Sequence, residues 1–235
     1  GGHAIYELNT GDDLIGTTMA GGASMGIHES QSRFYENIIG RSEAFISLIF
    51  PKIKELFPEQ FENVSAHDFY LAVNKAEPSL IRTEADELTY SMHIMIRYEI
   101  EKRLMDGSLS TKDLPNEWNR LYKEYLGIDV PCDSMGCLQD SHWSGGALGY
   151  FPSYSLGSAY GAQFLHKMKQ DIDIDKLVSE NRIDEVTAWL TEKIHKYGML
   201  LTPAQLIKNA CGEEFNADYY IEYLTEKYNK IYDLK

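Results

Sequence analysis

The spacing of apolar and polar positions reads as helix through most of this chain, with apolar residues recurring at intervals of three and four. Residues 1–9 form one helical segment that stops at Asn9-Thr10-Gly11-Asp12-Asp13, a cluster of turn formers. A linker carrying Gly16, Gly21, Gly22 and Gly26 follows, and so many glycines permit positive φ and close backbone approach. From Ile27 a second helix carries Glu29, Arg33, Phe34, Ile38 and Ile39. Residues 42–57 predict a third, with Pro51 near its middle expected to kink or break it, and another amphipathic helix lies around 68–74. Pro78 opens the longest helical pattern, running to about Met105 and closed by Asp106-Gly107. Residues 114–125 are helical, with Trp118, Leu121 and Tyr122 on the apolar side, and 127–131 end them. Residues 135–160, rich in glycine and aromatics, read as a loop or short strand leading into a helix. The remainder is helical scaffold: amphipathic stretches at 173–181 and 184–197, a capped start at Thr202-Pro203, and a last helix at Asp218–Tyr232. The expected fold is mainly α with at most a small β element, in a single domain over residues 1–235.

One pattern departs from plain amphipathicity. On a continuous helix from Pro78, Arg82, Asp86, Thr89, His93 and Arg97 would share one side, with Leu88, Met92 and Met95 on another. Such a stripe is either a solvated face or a buried polar wall. The neighbours Ile94 and Ile96 leave the second reading open.

Composition narrows the class. At 235 residues and 43% hydrophobic, the chain can bury a substantial core. A net charge of −14 argues against a nucleic-acid partner, which would require clustered Lys and Arg. Cys132, Cys137 and Cys211 are an odd number with no Cys-x-x-Cys pair, so ordinary thiols in a reducing cytoplasm are expected rather than disulfides. No stretch approaches the roughly 20 apolar residues of a membrane span, and the opening does not read as a signal peptide.

Candidate chemistry concentrates near the start. Gly1-Gly2-His3-Ala4-Ile5-Tyr6-Glu7 reads like the second half of a His-Glu-x-x-His helix, whose two imidazoles share one face toward a metal. A lone packed or solvated histidine is the plain alternative. Glu29 lies twenty-six positions later, in His28-Glu29-Ser30-Gln31-Ser32-Arg33, and an ordinary helical ion pair with Arg33 would also account for it.

Three ordered motifs decide between these readings. His28-Glu29-Ser30-Gln31, Ile81-Arg82-Thr83-Glu84-Ala85-Asp86 and Gly136-Cys137-Leu138-Gln139-Asp140-Ser141-His142-Trp143 resemble those of the C-terminal half of the carboxypeptidase Taq family of metallopeptidases. That family's two earlier motifs, and the His-Glu pair that begins its metal helix, do not appear. The chain is therefore expected to be truncated.

The resemblance implies the C-terminal portion of a gluzincin-type helical metallopeptidase, active as a metallocarboxypeptidase and dimeric. It implies Zn2+, with Co2+ as an alternative, held by His3 and Glu29 with Arg33 behind the carboxylate. Arg82 would grip a peptide's free C-terminal carboxylate through its bidentate fork. His142 and Tyr154, with Tyr150 as an alternative to the latter, would donate to the tetrahedral oxyanion, and Asp140 would orient one of them or a neighbouring helix. With two metal ligands and no general base, the chain alone is expected to be inactive. A non-catalytic association module and a zinc oligopeptidase cutting internally remain as alternatives.

Overall fold

In the computed structural model, which describes residues 1–234, the regular elements are helices and no strand occurs among the described residues. Helix α1 (Gly2–Leu8) ends at Asn9, as its turn formers predict. Helix α2 (Met25–Arg33) starts at Ser24, whose hydroxyl accepts from the Ile27 amide at 3.2 Å, and continues into a π-helical turn at Phe34–Ile39. Helix α3 (Glu43–Leu56) runs unbroken through Pro51. Pro51 and Ser47 are both exposed, so water can reach the carbonyl that proline leaves without a donor. Helix α4 (Ala66–Val73) opens on a reciprocal capping box between Ser65 and Asp68.

The long helix expected from Pro78 does not form as one piece. A single 3-10 turn, Arg82–Glu84, precedes helix α5, which begins only at Tyr90 and ends at Met105. Asp86 accounts for the gap: its carboxylate accepts from the amides of Glu77 and Thr89 and from the Thr89 hydroxyl, at 3.0, 2.9 and 2.7 Å. Short polar side chains of this kind compete with helical backbone bonding. Helix α6 (Leu114–Leu126) ends at Gly127 with φ 74°. The longest helix is instead α7 (Pro152–Asp171). It is followed by α8 (Ile174–Ser179), α9 (Ile183–Lys193), α10 (Pro203–Cys211, with a Thr202/Gln205 capping box) and α11 (Asp218–Tyr232).

The chain divides into two compact units, one of Gly1–Asn74 with Leu156–Lys235 and one of Lys75–Ser155. In the first, α1 packs on α2, and α3 on α4 and α8, around a core that includes Tyr6, Ile27, Phe34, Phe164, Trp189, Leu190 and Leu206. The α1 contact is backbone to backbone. A Cβ on Gly2 would lie 2.2 Å from the Gln31 carbonyl oxygen, so only glycine fits. In the second unit α5 packs on α6, with Ile96, Ile100, Trp118, Leu121 and Tyr122 forming one cluster and Tyr90, Ile94 and Phe151 another.

Candidate functional site

In the first unit the α1–α2 contact brings His3 and Glu29 together. His3 Nε2 stands 3.2 Å from Glu29 Oε2, and Arg33 Nε donates to the other carboxylate oxygen at 2.9 Å. The helical ion pair and the imidazole–carboxylate pair therefore coexist, one on each oxygen of Glu29. Helix α7 backs this carboxylate: a Cβ on Gly157 would fall 2.6 Å from Glu29 Cγ.

Donor chemistry and spacing both suit a cation. Two ligands on a tetrahedral zinc ion, with bonds of about 2.0–2.2 Å, stand roughly 3.3 Å apart. The observed separation is 3.2 Å. A bare imidazole nitrogen and a carboxylate oxygen so close repel unless a proton or a metal lies between them. Among the described residues no group of three or more His, Cys, Asp and Glu is arranged to hold a metal, so the pair is a partial donor set.

Two further side chains, present in the motifs but given no role from the sequence, stand beside the pair. His28 Nδ1 lies 2.7 Å from His3 Nδ1, and His28 Nε2 lies 3.0 Å from Glu7 Oε1. Glu7 sits four positions after His3, on the same face of α1, and that spacing was the available signal. His28 could be connected to His3 only by the packing of α1 on α2. Beneath them, the Tyr6 hydroxyl accepts from the Ala23 amide at 3.1 Å, and its ring packs on those of His28 and His195. Buried His195 meets Gln31 Oε1 at 2.8 Å, and burial pushes its pKa down to about 4.

In the second unit the motif residues converge on Asp140. Arg82 donates from Nε and Nη2 to Asp140 Oδ1 at 3.0 and 2.7 Å, and Arg97 donates from Nε to Oδ2 at 2.7 Å. Gln139 Oε1 accepts from the Arg82 amide and from Arg97 Nη2, both at 2.9 Å. Burial works against the Asp140 carboxylate, but the two guanidiniums outweigh it and hold its pKa below the usual range. Buried His93 touches Tyr122 Oη at 3.1 Å. Its pKa falls to about 3, chiefly through burial and then through Arg97 and Arg82, so it is neutral at pH 7.

Arg82 is buried, with its guanidinium carbon 4.7 Å from the centre of the Tyr154 ring. Its Nη1 donates to Tyr90 Oη at 3.2 Å. Three of its five N–H donors are thus engaged and two remain. Asp140 is 3.9 Å from His142 Nδ1, beyond hydrogen-bond range, so it orients the arginines rather than the histidine.

His142 Nε2 and Tyr154 Oη are 2.9 Å apart and bonded to each other. Burial, with Arg82 and Arg97, lowers the His142 pKa against the opposing pull of Asp140 and Glu101, which favours the neutral ring. Tyr150 contacts both rings edge-on or tilted, with centroids 5.5 Å from each.

Comparison with known proteins identifies the family. Residues 1–228 match the carboxypeptidase Taq (M32) metallopeptidase family. The chain is 51% identical to carboxypeptidase 1 of Bacillus subtilis over 98% of its own length and 46% of that protein. It is 45% identical to thermostable carboxypeptidase 1 of Pyrococcus furiosus over 97% of this chain and 46% of that one. The M32 carboxypeptidase of Deinococcus radiodurans superposes with a TM-score of 0.96 at 38% identity, covering 99% of this chain and 47% of the other. The chain thus spans about half the length of the relatives it matches. A family match that takes in all but the last few residues, and a shared all-helical fold, place the chain in the carboxypeptidase Taq (M32) metallopeptidase family.

Proposed function

We propose that this chain is the metal- and substrate-binding portion of a metallocarboxypeptidase that releases residues one at a time from peptide C-termini. The observation that carries the reading is the pair His3 Nε2 and Glu29 Oε2, facing each other at 3.2 Å with the second carboxylate oxygen held by Arg33. His3 and Glu29 are assigned as metal ligands, and imidazole with carboxylate suits zinc, cobalt being accommodated by the same donors. When bound, the ion supplies Lewis-acid polarisation of the scissile carbonyl and a water with its pKa lowered to about 7.

The other roles fall to the second unit. Arg82, with two guanidinium N–H donors still available, is assigned to the peptide's terminal carboxylate, and Asp140 keeps its fork in place. His142 and Tyr154 are assigned to the developing oxyanion in series. With a neutral His142 donating from Nε2 to its hydroxyl, Tyr154 is assigned as the donor to the oxyanion and His142 as the group that fixes its direction. The third metal ligand and the general base are assigned to residues outside this sequence. By itself the chain is expected to bind metal weakly and to hydrolyse nothing. The unpaired thiols of Cys132, Cys137 and Cys211 support a cytoplasmic setting, and the family resemblance supports a homodimer.

The test combines the purified chain with a separately produced N-terminal half of a close relative. Recovery of chelator-sensitive release of the last residue from peptides with a free carboxylate, and not from amidated ones, supports the reading. Equal cleavage of amidated peptides would indicate an internal oligopeptidase instead. Hydrolysis by this chain alone, unaffected by a chelator, removes the metal assignment.

A further inference from the structure

Around His3 the hydrogen-bond donors and acceptors form a linear chain between two carboxylates. The sequence of contacts is Glu7 Oε1, His28 Nε2, His28 Nδ1, His3 Nδ1, His3 Nε2 and Glu29 Oε2, with gaps of 3.0, 2.7 and 3.2 Å between residues. Both ends are carboxylates, which only accept, and each neutral imidazole carries a single N–H. Two neutral rings therefore have two protons for three gaps.

One gap must be left with two acceptors face to face. If His28 donates to Glu7, its bare Nδ1 accepts from His3 Nδ1–H, and the proton-free gap falls between His3 Nε2 and Glu29. If the polarity runs the other way, the proton-free gap falls between His28 and Glu7, and if each ring donates from Nε2 to its own carboxylate, it falls between the two Nδ1 atoms, 2.7 Å apart. A cation between His3 and Glu29 turns the first arrangement from repulsive to attractive and does nothing for the other two, in which His3 Nε2 already carries the proton. Glu7, with its side chain 63% exposed, can relax toward water in the second arrangement, whereas Glu29, at 10%, is held by Arg33 and backed by α7.

We propose that Glu7 and His28 are positioning residues for the metal: together they hold the His3 proton on Nδ1, so that Nε2 presents its lone pair to the ion. Neither needs to touch metal or substrate. His28 is itself fixed from below by the Tyr6 ring, with centroids 5.3 Å apart. The inference rests on the assignment of His3 and Glu29 as ligands, but its readout needs neither peptide nor turnover. Its failure is therefore distinguishable from failure of the peptidase reading.

The experiment labels the histidines of the chain with nitrogen-15 and titrates Zn2+ alone near pH 8, following ring nitrogens by two-bond proton–nitrogen correlation. The expected result is His28 protonated on Nε2, His3 protonated on Nδ1, and a zinc-dependent shift confined to His3 Nε2. A zinc-bound His3 protonated on Nε2 or a His28 protonated on Nδ1 overturns the positioning role alone, whereas no change in either ring up to the highest zinc the protein tolerates overturns the ligand assignment and the positioning role with it. Affinity, read by competition with a chromogenic chelator, gives the second arm. His28→Phe should weaken zinc by about 10–100-fold, as for other groups that orient metal ligands. His28→Asn, whose amide oxygen can accept from His3 Nδ1–H, should recover most of that loss. Equal affinity in His28→Phe and the parent chain refutes the role even if both fold normally.

Discussion

Asp140 accepts from Arg82 and Arg97 in a site where all three side chains are largely buried, and this makes it the most consequential carboxylate of the second unit. Neutralising it leaves two guanidiniums facing each other without a counter-ion. Asp140→Asn is therefore expected to cost about 3–5 kcal/mol, the range for breaking a buried charge pair. His142→Ala, which removes a bond to a single hydroxyl, should cost less. Urea denaturation of both variants checks the order, and an Asp140→Asn chain as stable as the parent contradicts the account. In the first unit the motif glutamate carries two interactions at once: Arg33 at one oxygen and His3 at the other. The four-residue spacing disclosed the first. The second was legible only through the family motif, because residues twenty-six apart share no local geometry.

At the scale of elements, α5 buries polar residues alongside the apolar ones of its core face. Its polar members His93 and Arg97 are fully buried, whereas Met92 and Met95 are 38% and 43% exposed. Of the two readings open for this stripe, burial holds for Arg82, His93 and Arg97, while Asp86 and Thr89 are half-buried and precede the helix. Its length was misread because Asp86, Arg82 and the Arg82 amide bond to tertiary or capping partners instead of continuing the helix. Helix α7 makes an opposite demand, since it needs the absence of a side chain at Gly157. A Cβ there would lie 2.6 and 2.7 Å from Glu29 Cγ and Cβ. Gly157→Ala should gain up to about 1 kcal/mol of helix propensity. It should lose about 1–3 kcal/mol to overpacking, and it should displace Glu29. The expected outcome is a lower melting temperature together with weaker zinc binding. An unchanged melting temperature with unchanged zinc affinity refutes the close approach.

For the whole molecule, acid stability follows from two buried histidines, one in each unit. His93 titrates near 3 and His195 near 4 in the folded chain, against about 6.5 for a free imidazole. Both are neutral in the fold. Below pH 6.5 the unfolded chain binds protons that the folded one refuses, so stability is complete above that pH and falls as pH drops. Each histidine contributes a slope of about 1.4 kcal/mol per pH unit, from 6.5 down to its own folded value. Unfolding free energies measured between pH 7 and 4.5 should therefore show a dependence that weakens in His195→Gln. An identical slope in that variant contradicts the assignment to His195.

What the sequence determined by itself is the local part of this structure. Helix type, the cap at Thr202 and the stop at Gly127 depend on neighbours within a turn, and all are readable from residue order. The ordered motifs also named the family and, through it, the candidate ligands. Tertiary structure alone decided how charges and protons are shared. That Asp140 serves the arginines instead of His142, that His142 and Tyr154 act on each other, and that Glu7 and His28 back His3 depend on contacts between distant segments. A hydrogen bond loses its geometry within a few tenths of an ångström, and such precision comes only from packed helices, never from spacing along the chain.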